Sequence, residues 1–83
     1  SNVVVKKRPT FLRKFGAAVY ERRQSTGLTQ EELADLAGLH RTYIGGIERG
    51  ERNLTLENIL KISAALNTRC SALVADIDNT DLD

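Results

Sequence analysis

Between Leu28 and Glu48 nearly every position holds a residue that local physics favours for two short helices joined by a tight turn. Thr29 can cap the first of them, and Glu32, three residues on, completes a capping box. Leu33, Leu36 and Ala37 then fall on one apolar stripe at helical spacing, and Gly38 stands where a left-handed residue ends a helix. His40 or Thr42 can start the second helix, in which Ile44 and Ile47 share a face.

The rest of the chain is read around that pair. Eighty-three residues make one small domain. At this size a single core is marginal, so helix caps, a buried polar pair or dimerisation are expected to contribute to stability. No apolar run approaches the roughly 20 residues of a membrane span, and no signal-peptide hydrophobic region is present. The chain is therefore expected to be soluble and cytoplasmic. It does not open with Met, as expected of a processed or tagged N-terminus at Ser1-Asn2. A single cysteine, Cys70, forms no internal disulfide and is expected to be a small core residue. With one His and one Cys there is no cluster of metal-ligand spacing, and neither metal nor cofactor is expected.

The net charge of +1 hides an asymmetry. Residues 1–23 hold seven Lys or Arg against one Glu, whereas residues 76–83 hold four Asp and no base. The first block can supply a basic face for phosphates while the second points elsewhere; two solvated termini give the same numbers.

Residues 1–9, with Lys6, Lys7 and Arg8, are expected to be a flexible basic arm, and Pro9 suits a helix start. From Thr10 a first helix carries Phe11, Leu12, Phe15, Ala18 and Val19 at the spacing of a buried face, with Gly27 as its stop. After the central pair, Gly50 ends a third helix. Thr55 caps a fourth, whose apolar face is Leu56, Ile59, Leu60, Ile62 and Leu66, with Glu57 in its positive first turn. Asn67 can end that helix in a left-handed conformation. A fifth runs from about Arg69 to Asp76. Residues 78–83 are an acidic tail with too little apolar content to order itself, expected to fray. The sequence thus gives an all-α chain of five helices and no strand, with a folded domain over 10–77.

A compact helical pair of this kind is a helix-turn-helix, whose second helix enters the DNA major groove. Gly27-Leu-Thr-Gln-Glu-Glu-Leu-Ala34, Ala37-Gly-Leu39, Tyr43-Ile44 and Ile47-Glu-Arg-Gly-Glu-Arg-Asn53, in that order and spacing, resemble the Cro/C1-type (XRE) helix-turn-helix family over roughly residues 11–76. The resemblance implies a lambda-repressor-like five-helix fold, homodimeric binding to a palindromic operator in double-stranded DNA, and transcriptional regulation. It implies no enzyme activity and no cofactor, and contact with RNA polymerase if the protein activates.

By position, the resemblance assigns Gln30 to a backbone phosphate and to bracing the recognition helix, roughly Arg41–Arg49. A helix N-terminus favours an anion on physical grounds as well. Arg41, Thr42 and Gly46 occupy positions that face base edges. Arg41 is the strongest reader, since its fork can make two bonds to guanine, worth about 1–3 kcal/mol of discrimination. His40 can touch a phosphate or cap the helix. Tyr43 can pack its ring on the domain edge while its hydroxyl reaches a phosphate. Arg49, Arg52 and Asn53 match a loop that meets the phosphate backbone, positioning rather than specifying. Glu51 among them must point away from phosphate. The arm at Lys6-Lys7-Arg8 can reach a minor groove or stay solvated. Gly45 and Gly46 each cost a helix about 0.8–1 kcal/mol relative to Ala. Close approach of the bare helix to the groove, or simply fewer bases read, accounts for them.

The resemblance also pairs Arg23 with Glu48 as a buried structural ion pair. Arg22 stands where an apolar residue is usual, so either its stem packs and its head reaches water, or the helical register shifts by one. A helix-turn-helix monomer covers only half a turn of DNA and needs a partner. The dimer surface is expected on the fourth and fifth helices, around Asn67, Arg69, Leu73, Val74 and Ile77, with Leu82 beyond. Among family members the size and the Leu39–Leu56 segment most resemble restriction–modification controller proteins. Phage Cro-like repressors and antitoxins are the near alternatives, the last as a protein-interaction module rather than an operator reader. An enzyme has no support, since the one His has no nucleophile partner and no carboxylate pair stands out.

Overall fold

The computed structural model describes residues 8–83, so Lys6, Lys7 and most of the expected arm lie outside the described residues. Five helices run in the order α1 (Thr10–Thr26), α2 (Gln30–Ala37), α3 (Arg41–Glu48), α4 (Leu56–Ala65) and α5 (Cys70–Leu73), followed by a 3-10 turn at Asn79–Asp81. No strand occurs among the described residues.

The boundaries follow local chemistry. Thr29 accepts a hydrogen bond from the Glu32 amide and Glu32 accepts one from the Thr29 amide, so both halves of the capping box form. These bonds hold the Glu32 carboxyl below its ordinary pKa, the backbone amide of Thr29 being the main cause. Thr55 caps α4 through the Asn58 amide. The stops at Gly27, Gly38 and Gly50 take left-handed backbone with φ of 76°, 68° and 74°, and Asn67 does the same at 52°. Glycine or asparagine is the residue that tolerates this conformation at a helix end.

One core holds the helices together. Phe15 and Val19 of α1, Leu33, Ala34 and Ala37 of α2, and Ile44 and Ile47 of α3 meet Ile62, Leu66 and Leu73. α3 packs on both α1 and α2. The α1–α3 contact is close because Gly16 has no side chain; a methyl there would lie 2.7 Å from the Glu48 carbonyl oxygen and also against that of Ile47.

Several expectations need correction. Leu36, Leu56 and Leu60 are 62%, 70% and 50% exposed and take no part in the core. Period alone selects a face of a helix but not how wide a stripe its neighbours cover. α5 is a single turn, and Cys70 is half-buried beside the core rather than inside it. Arg22 keeps the expected register, but its head, rather than standing free in water, turns back onto the end of α4. It donates to the carbonyls of Leu66 and Asn67 at 3.0 and 2.8 Å, closing the C-terminus of α4, where unpaired carbonyls favour a cation.

The acidic tail does not fray. Asp78 and Asp81 form a second capping box around the 3-10 turn, and Asp81 is buried. Lys14 bonds Asp81 at 3.0 Å and the Asp76 carbonyl at 3.1 Å. Asp83 accepts from both the amide and the hydroxyl of Thr10, at 2.9 and 2.7 Å. Charge pairing with the basic start of α1 does for this segment what apolar burial does elsewhere. The Lys14 ammonium, with the Asp78 amide, holds the Asp81 carboxyl below its usual range, and Asp81 in turn raises Lys14.

Candidate nucleic-acid interface

Helix α3 has two faces with opposite character. Its inner face, Ile44 and Ile47, is in the core. Its last residue, Glu48, is locked to α1. Arg23 donates through Nε to Glu48 Oε2 at 2.7 Å and through Nη2 to Oε1 at 2.9 Å, a two-pronged pair. The third guanidinium nitrogen donates to the Leu28 carbonyl at 2.9 Å, and the group stands 5.4 Å from the Tyr20 ring centroid. Both charged side chains are under a tenth exposed, at 8% and 5%. The hydrogen bonds to Glu48 raise the Arg23 pKa further, so the cation is permanent.

Gln30 joins this lock. Its amide donates to Glu48 Oε1 at 3.0 Å, while its carbonyl oxygen faces Gly45. This bond ties the first turn of α2 to the last residue of α3, and it leaves the amide a second N–H.

The outer face is the i, i+4 stripe of Arg41, Thr42, Gly45, Gly46 and Arg49. His40 caps the helix: its Nδ1 accepts from the Thr42 amide at 3.1 Å and lies 2.7 Å from the Thr42 hydroxyl. Between phosphate contact and capping, the capping role is thus filled, with the ring itself exposed. Arg41 extends into solvent, with only a loose 3.8 Å approach to Glu31, itself exposed. Such a surface pair contributes little and leaves the guanidinium free to exchange partners.

Neither glycine offers bare backbone. Gly45 lies under Arg49, and Gly46 lies under Arg52, so both are buried. Gly46, expected at base edges, is covered by the Arg52 stem in the free chain. Arg49 bonds Glu51 through Nε at 3.1 Å, and Arg8 bonds Glu51 at 2.8 Å and the Arg49 carbonyl at 3.0 Å. Glu51 is thus neutralised within a ring of arginines, and Arg49 is the main cause of its lowered pKa. Arg8 is a contributor that the sequence grouped with the arm; its packing on the 49–51 loop has no local signature.

Tyr43 sits to the side, half-buried against the core, with its hydroxyl accepting from the Asn58 amide group at 3.2 Å. Asn53 is exposed beyond Arg52 and borders an apolar groove of about 310 Å³ between α1, α4 and α5. Leu73, expected on a dimer surface, is only 3% exposed and belongs to the core. Its single-turn helix turns it inward against α1 and α4. Ile77 packs partly on that core, while Asn67, Arg69 and Val74 are exposed.

A capped helix, a tight glycine turn and a second helix locked by its inner face and open on its outer one define a helix-turn-helix domain. Residues 19–73 match the helix-turn-helix family, and the chain belongs to it. It is 50% identical over 52 residues to the control protein C.SmaI of Serratia marcescens, covering 63% of this chain and 62% of that one. It is 52% identical over 56 residues to the control protein C.BamHI of Bacillus amyloliquefaciens, covering 66% and 69%. Its fold matches the crystal structure of the restriction–modification controller protein C.AhdI from Aeromonas hydrophila, with a TM-score of 0.74 and 52% identity over 75% of this chain and 94% of that one. The expectation of a regulator rather than an enzyme agrees with the family and with these names. No helix among the described residues is long and apolar enough to cross a membrane.

Proposed function

We propose that this chain is a DNA-binding transcriptional regulator of the restriction–modification controller type, acting as a homodimer on a palindromic operator in the bacterial cytoplasm. The observation that carries this reading is the division of α3. The inner face is fixed by the Arg23–Glu48–Gln30 lock, and Arg41, Arg49 and Arg52 stand exposed along the outer one. In this reading Arg41 and Thr42 meet base edges in the major groove. Gln30, Arg49, Arg52 and Asn53 meet the phosphate backbone, with Arg8 beside them, and His40 and Tyr43 flank the contact. The names of the relatives support the controller role over a phage repressor or an antitoxin-like module.

The partner for the second half-site is a second copy of this chain. Leu73 is unavailable to it. The exposed apolar residues Leu56, Leu60 and Val74, beside the groove bounded by Leu54, Ile59 and Ile77, are the surface we assign to that contact.

Titration of the protein against the duplex upstream of its gene and against a random duplex, at several salt concentrations, tests the reading. The expected result is two chains per site, preference for the upstream duplex, and log affinity falling with log salt by about 0.9 per phosphate neutralised. A flat salt response with no preference overturns the regulator reading in favour of a protein-interaction module.

A further inference from the structure

Two adjacent glycines weaken an eight-residue helix relative to alanine, and α3 carries such a pair without using their backbone freedom. The left-handed glycines are Gly27, Gly38 and Gly50, and neither Gly45 nor Gly46 is among them. What the pair supplies is space. A methyl on Gly46 would stand 2.9 Å from Cγ, 3.3 Å from Nε and 3.6 Å from Cδ of Arg52. The stem of Arg52 therefore lies where a side chain at 46 would be, one turn beyond Thr42 on the outer stripe. Gly45 repeats the arrangement more loosely, with its methyl position 3.1 Å from Arg49 Nη1. The two arginines differ in one respect. Arg49 is hydrogen-bonded to Glu51, whereas the exposed Arg52 guanidinium feels Glu51 only through its charge.

We propose that Gly46 is a positioning residue that seats the Arg52 side chain along the outer face of α3, so that a loop arginine supplies the guanidinium at this turn of the DNA-facing surface. The inference rests on the DNA-binding reading and assigns the glycine a different task from close approach. The backbone at 46 is covered by Arg52 rather than bared to a groove. The seat spares the entropy of ordering a long, free side chain at the moment of binding, which is the general advantage of preorganisation.

The test is a double-mutant cycle of wild type, Gly46→Ala, Arg52→Ala and the double variant, read by affinity for the upstream duplex and by Tm. Gly46→Ala is expected to leave Tm unchanged or higher, because alanine favours the helix. Its affinity is expected to fall about tenfold, because displaced Arg52 must be reordered on binding. In the Arg52→Ala background the same change is expected to alter affinity by no more than about twofold, the margin within which uncoupled changes add. Equal losses in both backgrounds would show that the methyl meets DNA itself, and unchanged affinity in Gly46→Ala would show that Arg52 needs no seat; either result overturns the proposal. In the free protein a nuclear Overhauser contact between Gly46 Hα and Arg52 Hγ is expected, and its absence also overturns the seat. A chain that shows this contact but binds no duplex overturns the DNA-binding reading, and with it the role given to the seat.

Discussion

The two faces of α3 use the same side chain, arginine, for opposite ends. Arg23 on the inner side is desolvated, shares both oxygens of Glu48 and turns its third nitrogen to the Leu28 carbonyl, so every nitrogen of its head is engaged within the protein. Arg41 and Arg52 on the outer side are exposed and, among the described residues, make no hydrogen bond to a fixed acceptor, Arg41 standing only 3.8 Å from an exposed Glu31 and Arg52 feeling Glu51 through its charge. The contrast shows that residue type does not decide role here. Burial and the supply of fixed acceptors do, and both are set by where α1 and α2 press on α3.

The widest test of that division is to break the inner face. Glu48→Ala leaves the Arg23 cation buried without its partner, and loss of one member of such a pair costs roughly 3–5 kcal/mol. A large fall in Tm by thermal denaturation is expected, with DNA affinity lost only because the folded fraction falls. The outer face should answer differently. Arg41→Ala is expected to weaken binding to the upstream duplex by about 1–3 kcal/mol and to leave Tm within error. A matching fall in Tm would mean that the two faces are not separate.

A smaller effect is expected at the support for α2. Thr29→Ala removes an observed N-cap, and such losses cost about 1 kcal/mol, read as a modest Tm decrease with unchanged affinity per folded molecule. The smallest effect is local and lies in the tail. Asp81 is held below its ordinary pKa by Lys14, so its contribution is full above the unfolded carboxylate value of about 3.9 and is lost as pH falls through the lowered one. Lys14 is raised by the same pair, so its share is full below the ordinary lysine value and is lost only as alkaline pH passes the raised one. Across neutral pH the tail stays docked. Protection of the 79–83 amides, corrected for the intrinsic exchange rate at each pH, is expected to fall in acid and again at strongly alkaline pH, before that of α2 and α3 changes.

The locked face was more legible in the sequence than the open one. Thr29, Glu32, Gly38, Ile44 and Ile47 are caps, stops or periodic positions that local patterns carry, while the Arg23–Glu48 pairing is legible only through the family resemblance. What escaped are contacts between segments far apart in the chain. Gly16 shows its purpose only when the α3 carbonyls arrive, and Arg22 finds the end of α4 across 44 residues. Leu56 and Leu60 obey the helical period yet lie beyond the width of the stripe that the neighbours cover. The tail orders through Lys14 and Thr10, which composition cannot pair with Asp81 and Asp83. At Gly46 the sequence shows the missing side chain, which close approach or fewer bases read can explain, but not the arginine laid over it.

The division of α3 is tested most directly by following arginine Nε–Hε resonances while the duplex from upstream of the gene is added. Arg41 and Arg52 are expected to shift or broaden on binding, while Arg23 keeps its position throughout. Movement of Arg23, with Arg41 and Arg52 unaffected, would contradict that division.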